Sequence, residues 1–296
     1  MDNRVSQRNG VEEMKVITNN PLVSIITPVL NGINYLEICI QSVLNQSYPY
    51  IEHVFVDGGS TDGTLKMLVS YEAKYRDRIR FISEPDKSAG EAWNKGLTMA
   101  KGGILGWLGS DDVYESDTIM TVIEFFEANL DACFVFGDCN YINEKGKTIG
   151  KARTEDFNLD EAINNACYIP CPSAFYKREV IEKVGFLDTR ETGVELDYWI
   201  RVGKVFQIHR IEKTLSNFRF HKDSTSGSKK ADKMYAREGF IISRRHGGRI
   251  ISGYGVRYFG AQVIELLRPV LGHLYPFIYH RLVYPFVKWV GRIIPI

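Results

Sequence analysis

The chain has 296 residues, of which 44% are hydrophobic and 25% are charged, and its formal net charge is +1. This composition excludes a chain that is disordered throughout, and the near-neutral charge gives no reason to expect a nucleic-acid partner. The length allows one large core, or a domain with an extension. The charge is uneven, because residues 244–296 hold eight Lys or Arg and one acid, which leaves this tail at +7 and the first 243 residues at −6.

The cysteines and the N-terminal residues indicate an intracellular protein. The five cysteines are odd in number, lie mostly in apolar segments and form no CxxC pair, so we expect reduced thiols rather than disulfides or a zinc site. Residues 1–20 are polar and contain no apolar signal segment, so we expect a leader outside the folded domain. The sequence therefore predicts a cytoplasmic location.

The first 120 residues or so alternate apolar runs with segments of helical periodicity. Strands are expected at 22–27, 51–56, 80–83 and in the apolar run from 103, and helices at 35–44, 65–75 and 90–100. Strands that alternate with helices in this way form a parallel sheet with right-handed crossovers. The predicted fold class is therefore α/β, a mostly parallel sheet flanked by helices.

Polar segments follow each of these strands. They comprise 27–31, 57–63, 84–90 and 110–112, and all are rich in Asp, Ser, Thr, Asn and Gly. Because ligands bind at the carboxyl ends of the strands in such sheets, these segments are expected to converge on one site. A dinucleotide-binding or P-loop site is not indicated, because no complete glycine motif of either kind follows a strand.

Two consecutive acids, Asp111 and Asp112, end the apolar run that begins at residue 103. Adjacent carboxylates repel each other unless a positive charge lies near them, and a divalent cation is the simplest such partner. Oxygen ligands favour Mg²⁺ or Mn²⁺, which also bind substrate phosphates. The alternative is that Ser110 and Asp111 cap the helix expected from about Ser116.

The second half of the chain lacks the regular alternation. The expected elements are a helix at 116–129, a strand at 132–136, a hairpin turn at 143–148 and helices at 179–184 and 195–201, with Pro170-Cys171-Pro172 introducing the segment 173–176. On the last helix Leu196, Trp199 and Ile200 share an apolar face, which leaves Glu195 and Asp197 free to point elsewhere. An acid on this helix is a candidate general base, or else an acid favoured by the helix dipole.

Six segments in this order resemble the family 2 glycosyltransferases of the GT-A fold. They are SIITPVLNG (24–32), VDGGSTDGT (56–64), EPDKSAGEAWNKG (84–96), WLGSDDVY (107–114), ELDYWIR (195–201) and FRFHKDSTS (218–226). The resemblance implies a GT-A nucleotide-diphospho-sugar transferase fold over residues 21–228. It also implies inverting transfer from a nucleotide sugar, usually a UDP-sugar, with Mn²⁺ or Mg²⁺.

The resemblance also assigns roles to individual residues. The residues expected at the nucleotide are Thr27, Pro28 and Asn31 in the pocket, Asp57 at the uracil, Asp86 with Lys87 at the base and ribose, and Asp111 at the ribose. Asp112 and His221 are expected at the metal and diphosphate. Asp197 is expected to deprotonate the acceptor hydroxyl, with Glu195 as the replacement candidate.

Three positions depart from the family pattern, and one motif is missing. Ser88 and Gly109 stand where relatives often have Gly and Asn, and Ser110 replaces the first acid of the usual triplet. The Q-x-x-R-W motif of processive synthases is absent from the sequence, so one sugar per encounter is expected. The alternatives are a nucleotide-sugar-binding protein without turnover, and a nucleotidyltransferase, which would need a basic loop after the first strand.

Residues 229–296 form a basic, aromatic-rich extension. No run reaches 18 uncharged apolar residues, so a spanning helix is not expected, and the composition is typical of helices that lie on an anionic membrane surface. The sequence thus predicts a peripheral protein at the inner face of the cell membrane, acting on a glycan or lipid-linked acceptor in bacterial surface polysaccharide assembly. The alternative is that the extension packs on the catalytic domain or on a twin subunit as a homodimer.

Overall fold

The structure, a computed structural model, describes residues 20–222, 224 and 229–271, and for 229–233 and 263–271 it describes the backbone alone. Within these residues the strands form one sheet. The strands lie in the order β3 (Ile79–Ser83), β2 (Ile51–Asp57), β1 (Val23–Val29), β4 (Ile104–Trp107), β8 (Ala174–Lys177), β6 (Phe134–Ile142), β9 (Ile208–Arg219) and β5 (Val113–Tyr114), with β7 (Thr148–Lys151) paired to β6. No helix of the described chain combines the length and apolarity needed to cross a membrane. The sequence-based α/β prediction is confirmed.

The first half of the chain forms the parallel part of the sheet. Its strands are β1 (Val23–Val29), β2 (Ile51–Asp57), β3 (Ile79–Ser83) and β4 (Ile104–Trp107), and its helices are α1 (Leu36–Leu44), α2 (Thr64–Lys74) and α3 (Ala89–Met99). Strand β1 lies between β2 and β4, and all three pairings are parallel. Because the order of strands reverses at β1, the loops after β1 and β4 lie side by side at the carboxyl edge.

The second half adds antiparallel strands and shorter helices. The elements are β5 (Val113–Tyr114), α4 (Thr118–Ala128), β6 (Phe134–Ile142), β7 (Thr148–Lys151), α5 (Leu159–Asn164), a 3-10 turn (Cys171–Ser173), β8 (Ala174–Lys177), α6 (Glu179–Val184), α7 (Val194–Gly203) and β9 (Ile208–Arg219). Strand β9 was not predicted. It pairs with β6 in parallel and with β5 in antiparallel fashion, and so brings the end of the domain to the acidic loop after β4.

The largest part of the core lies between the sheet and helices α3, α6 and α7. Its centre is Trp107, whose ring is stacked on Trp93 and lies 5.1 Å from the ring of Trp199. The indole Nε1 of Trp107 donates to the hydroxyl of Tyr176. Because Trp107 is the last residue of β4, this packing fixes the point at which the acidic loop begins.

Helices α8 (Lys229–Arg245) and α9 (Gly253–Leu271) form the described part of the extension. They pack on each other closely, because a Cβ on Gly239 would lie 2.6 Å from Cδ1 of Tyr254. Glu238 of α8 accepts hydrogen bonds from Thr192 and Gly193, just before α7. The described part of the extension therefore packs on the catalytic domain. Residues 272–296, which contain most of the predicted membrane-binding aromatic residues, lie outside the described chain.

Candidate active site

The first two polar loops are tied together at the carboxyl edge. The Asp57 carboxylate, fully buried, accepts from the backbone N–H of Ser60 at 3.2 Å and from the hydroxyl of Ser83 at 2.6 Å. Asn31 has a left-handed φ of 52°, and its Oδ1 accepts from the N–H of Thr61 at 2.9 Å. These bonds fix the shape of the loop after β2 where a nucleotide base is predicted to bind.

Two of the predicted nucleotide residues contribute differently. Thr27 is fully buried, and its hydroxyl lies 2.8 Å from Nε2 of His53 inside the sheet. Its side chain therefore supports the pocket from behind. Burial, reinforced by the charge of Arg78, lowers the pKa of His53 to about 3, so this ring is neutral. Pro28 is only partly buried and remains available at the edge.

The third loop places Asp86 against the second. A Cβ on Gly58 would lie 3.5 Å from Oδ2 of Asp86, so the two loops are in contact. The ammonium of Lys95, a residue not singled out from the sequence, lies 2.5 Å from Oδ1 of Asp86. Lys87 is exposed, as a contact to a bound ligand requires.

Ser88 caps the N-terminus of helix α3 with its side chain. Its hydroxyl accepts from the N–H of Glu91, and the Glu91 carboxylate accepts from the N–H of Lys87 at 3.0 Å. The departure from the common Gly at position 88 therefore has a local structural reason. The loop that carries Asp86 and Lys87 is fixed at its end by this cap.

The acidic loop holds both carboxylates on one side. A Cβ on Gly109 would lie 2.7 Å from Oδ2 of Asp112 and 2.9 Å from Oδ1 of Asp111, so only glycine leaves room for this arrangement. Asp112 is buried, and its Oδ1 accepts from the backbone N–H of Arg219 at 2.9 Å. Burial first, and the charge of Asp111 second, raise the pKa of Asp112 well above its usual range. A cation between these acids would remove that penalty.

His221 completes this group from the other end of the domain. Its Nε2 lies 2.8 Å from Oδ2 of Asp111, and its ring lies 4.8 Å from the ring of Tyr35. The structure therefore brings together the two predicted metal residues, Asp112 and His221, with Asp111 beside them. The alternative that Ser110 and Asp111 cap a helix is wrong, because α4 begins at Thr118.

Arg219 is a site residue that sequence reasoning missed. It is buried, its Nε donates to the backbone carbonyl of Asp111 at 2.8 Å, and its guanidinium lies over the ring of Tyr35 at 4.8 Å. It also donates to the carbonyl of Asn143 in the turn between β6 and β7. The available signal was its position two residues before His221 in the FRFH segment.

The donor set fits a hard divalent cation. Among the described residues no group of three or more His, Cys, Asp or Glu side chains is arranged to hold a metal by protein ligands alone. A Mg²⁺- or Mn²⁺-like ion instead takes one or two side chains from the protein and the rest of its ligands from phosphate oxygens and water. Asp112 and His221 are the residues predicted to hold it.

Asp197, predicted as the base, lies on helix α7, and positively charged side chains surround its carboxylate. Its carboxylate is buried and accepts from Nε of Arg201 at 2.7 Å and from Nε2 of His246 at 2.9 Å. Burial alone would raise the pKa of Asp197, but the hydrogen bonds from His246 and Arg201 outweigh it and lower the pKa. A carboxylate engaged on both oxygens is poorly placed to accept a substrate proton, so the geometry argues against this prediction.

Glu195 lies in the first turn of helix α7. Side chains two positions apart on a helix point about 200° apart, so Glu195 and Asp197 face opposite directions. Glu195 is partly exposed, and burial together with the charge of Glu238 raises its pKa to about 6. Burial also raises the pKa of Cys171 well above its usual value, and the carboxylates of Glu195 and Asp112 raise it further.

The start of α7 also contacts the third loop. A Cβ on Gly90, in the first turn of α3, would lie 2.8 Å from Cγ1 of Val194. Glu195 therefore follows directly on a residue that packs beside the loop of Asp86 and Lys87. The four loops and His221 lie at the carboxyl edge of the sheet, and the start of α7 packs beside the third loop.

Sequence comparison identifies the family. Residues 24–185 match the model of "Glycosyl transferase family 2", so the chain belongs to that family. The chain is 32% identical over 213 residues to TuaG of Bacillus subtilis, whose name assigns it to teichuronic acid biosynthesis; the match covers 71% of this chain and 83% of TuaG. It is 29% identical over 214 residues to the chondroitin synthase of Escherichia coli, covering 72% of this chain. The chain spans only 31% of that synthase.

Solved structures show the same fold. The mannosyltransferase PcManGT of Pyrobaculum calidifontis, solved with GDP-Man and Mn²⁺, has a TM-score of 0.58 at 17% identity, with 93% of this chain and 74% of that chain covered. S. aureus TarS 1-349 with UDP-GlcNAc also has a TM-score of 0.58, at 15% identity, with 92% and 91% covered. The chain is thus a family 2 glycosyltransferase with the GT-A fold.

Proposed function

We propose that this glycosyltransferase moves one sugar from a UDP-sugar to an acceptor hydroxyl with inversion at the anomeric carbon. The observation that carries the proposal is the meeting of Asp111, Asp112 and His221 at the sheet edge. The donor diphosphate would bind at the acids, and the acceptor would approach from the side of Glu195. TarS with UDP-GlcNAc and PcManGT with GDP-Man support a nucleotide-sugar donor for this fold.

Asp112 and His221 would hold Mn²⁺ or Mg²⁺, which would neutralise charge at the departing diphosphate. Asp111 would lie at the ribose. Asp57 and Asn31 would keep the base-binding loop in shape, and Asp86 with Lys87 would lie at the base and ribose. Arg219 would hold the acidic loop in place from behind. These roles follow the sequence-based assignments except at Asp57, which was expected to contact the uracil, and at Thr27, whose buried side chain would act through the backbone of β1.

We assign the role of base to Glu195 in place of Asp197. The Glu195 carboxylate would take the proton of the acceptor hydroxyl as that oxygen bonds to the anomeric carbon. The bond from that carbon to the diphosphate oxygen breaks at the same time, and its electron pair leaves with the nucleoside diphosphate. With a pKa of about 6, roughly nine in ten Glu195 side chains are ionised at pH 7, which suits a general base.

The acceptor is proposed to be a glycan, carried on a lipid, in bacterial surface polysaccharide assembly. The name of TuaG supports this class of pathway. A protein at the inner face of the membrane would meet such an acceptor, and residues 272–296 would provide the contact. A binding protein without turnover is the alternative, but the combination of paired acids with a base of raised pKa favours catalysis.

A panel of nucleotide sugars tests the proposal. We expect one UDP-sugar to be hydrolysed slowly by the purified chain, in a reaction that Mn²⁺ or Mg²⁺ supports and EDTA stops. The same sugar should raise the melting temperature in the presence of metal. Metal-dependent stabilisation without hydrolysis, or without transfer to any lipid-linked glycan, would favour the binding protein instead.

A further inference from the structure

Helix α8 holds the segment that leads into α7. The carboxylate of Glu238 is buried, with Oε2 accepting from the backbone N–H of Gly193 at 2.9 Å. Both of its oxygens also lie 2.7 Å from the hydroxyl of Thr192, which donates to them. A carboxylate at this position stabilises the N-terminal end of a helix both by hydrogen bonding and through the helix dipole. The first turn of α7 is therefore fixed by a side chain from the extension.

His246, the residue after α8, contacts helix α7 through Asp197. The ring of His246 is buried between Lys204 and Asp197. The ammonium of Lys204 lies 3.0 Å from Nδ1, and because an ammonium can only donate, Nε2 carries the proton that goes to Oδ1 of Asp197 at 2.9 Å. Asp197 is thus held by α8 as well as by Arg201 of its own helix.

Arg245 extends this contact to the loop before α7. Its guanidinium donates to Glu191 at 3.2 Å and to Asp188 at 3.4 Å, and it lies 3.6 Å from Oδ1 of Asp197. All three acids are mostly buried. The end of α8 is therefore joined by partly buried charges to both ends of the segment 188–197.

We propose that Glu238, Arg245 and His246 are positioning residues for the transfer reaction. The C-terminal extension supplies these residues, and they hold Glu195 in the orientation that the reaction needs. The inference rests on the proposed function, in which Glu195 is the base. None of the three needs to touch the substrate. Their contacts lie just before α7, at Gly193, and on α7 at Asp197, which is about 200° around the helix from Glu195. A shift of about 1 Å in a reacting group can cost roughly 100-fold in rate, so such support matters for catalysis.

The test uses the full chain with Glu238→Gln and His246→Gln, and Arg237→Gln as the matched control, since Arg237 is the exposed neighbour of Glu238 on α8. We expect kcat for transfer, per UDP-binding molecule, to fall roughly ten- to hundredfold in the first two variants. The affinity for UDP with Mn²⁺ should stay unchanged, because neither residue contacts the donor loops. The control should match the original chain in both measurements.

The pH profile separates positioning from simple structural support. Burial and the charge of Glu238 on α8 raise the pKa of Glu195, and burial and the charge of Glu195 in turn raise the pKa of the Cys171 thiol in the 3-10 turn. Removing the charge of Glu238 should move the acidic inflection of the rate to lower pH, which a loss of folded protein would not do. Should Glu238→Gln fail to fold, His246→Gln carries the test through its kcat.

Two results would overturn this inference and leave the proposed function intact. One is a lowered melting temperature in both variants with kcat per UDP-binding molecule and the inflection unchanged, which would make α8 merely structural. The other is loss of transfer in Glu195→Gln while both α8 variants keep the original kcat. Transfer at the original rate by Glu195→Gln would instead remove the proposed base, whatever the α8 variants do.

Discussion

Nε2 of His221 lies 2.8 Å from Oδ2 of Asp111, although 110 residues separate them in the chain. The pairing of β5 with β9 brings them together, because Val113 is opposite Asn217 and the strands run antiparallel. Continuing that register by two residues places Asp111 opposite Arg219. The metal site that we propose therefore depends on a strand from the end of the domain as much as on the loop after β4.

Replacing Asp112 by Asn should weaken metal-dependent nucleotide binding without unfolding the protein. The amide oxygen can still accept from the N–H of Arg219, but the negative charge is lost. We expect the affinity for UDP in Mn²⁺ to fall by more than about tenfold, the lower end of the loss seen when even indirect partners of a ligand are removed. Calorimetry measures it, with the exposed Asp131→Asn as control. Unchanged affinity in Asp112→Asn would argue against the metal role.

Replacing Arg219 by Met should destabilise the protein and loosen the acidic loop. The change keeps much of the side-chain volume but removes the donors to the carbonyls of Asp111 and Asn143. Leaving a carbonyl without a partner costs about 1–3 kcal/mol where it is shielded from water, so we expect a loss of up to about 6 kcal/mol in the free energy of unfolding for the two carbonyls. Urea denaturation checks the value. A loss below 1 kcal/mol would mean that Arg219 does not brace this loop.

His53 should make the protein less stable in acid. Its pKa is about 3 in the folded chain against 6.5 for an unperturbed ring. Above pH 6.5 the ring is neutral in both the folded and the unfolded chain, so its titration does not lower the free energy of unfolding there. As the pH falls from 6.5 towards 3, the unfolded chain binds a proton that the folded chain does not, and stability falls by up to about 1.4 kcal/mol per pH unit.

Urea denaturation of the original chain and of His53→Gln, at several values between pH 7 and pH 4, measures this effect. The variant should lose stability less steeply with falling pH, since Gln does not titrate. Parallel slopes in the two proteins would show that the ring is protonated in the folded state too.

Two glycines offer a matched pair for the packing of α3 on the sheet. A Cβ on Gly96 would overlap Cγ2 of Ile26 on β1, whereas a Cβ on Gly103 meets nothing within 4 Å. We expect Gly96→Ala to lower the free energy of unfolding by about 1–3 kcal/mol through overpacking. Gly103→Ala should change it by less than about 1 kcal/mol. Equal effects in thermal denaturation would contradict the close approach of α3 to β1.

The sequence predicted the parallel half of the fold and much of the site for a physical reason. Its strands are continuous apolar runs and its helices have clear periodicity, so the loops after them could be placed at one edge. Strand β9 was missed because IHRIEKTLSNFR mixes charged and apolar residues without strict alternation. Its stability comes from pairing with β6 and β5, which lie far away in the chain.

The choice between Glu195 and Asp197 could not be made from the sequence. The apolar residues of α7 show which face is buried, but both acids lie off that face. What separates them is His246, 49 residues after Asp197, which occupies one of the Asp197 oxygens. A long separation in sequence also explains why Arg219 was missed, since its partners Asp111 and Asn143 belong to two much earlier loops.

The pH dependence of transfer by Glu195→Gln, measured beside Asp197→Asn, tests the central claim most directly. The carboxylate must be ionised to accept a proton, so the rate of the original chain should fall as the pH drops through about 6. We predict that Glu195→Gln lowers kcat by roughly 10²- to 10⁴-fold and abolishes this inflection, while Asp197→Asn keeps an inflection at whatever rate remains. Near-original rates in Glu195→Gln, together with loss of the inflection in Asp197→Asn, would contradict the account.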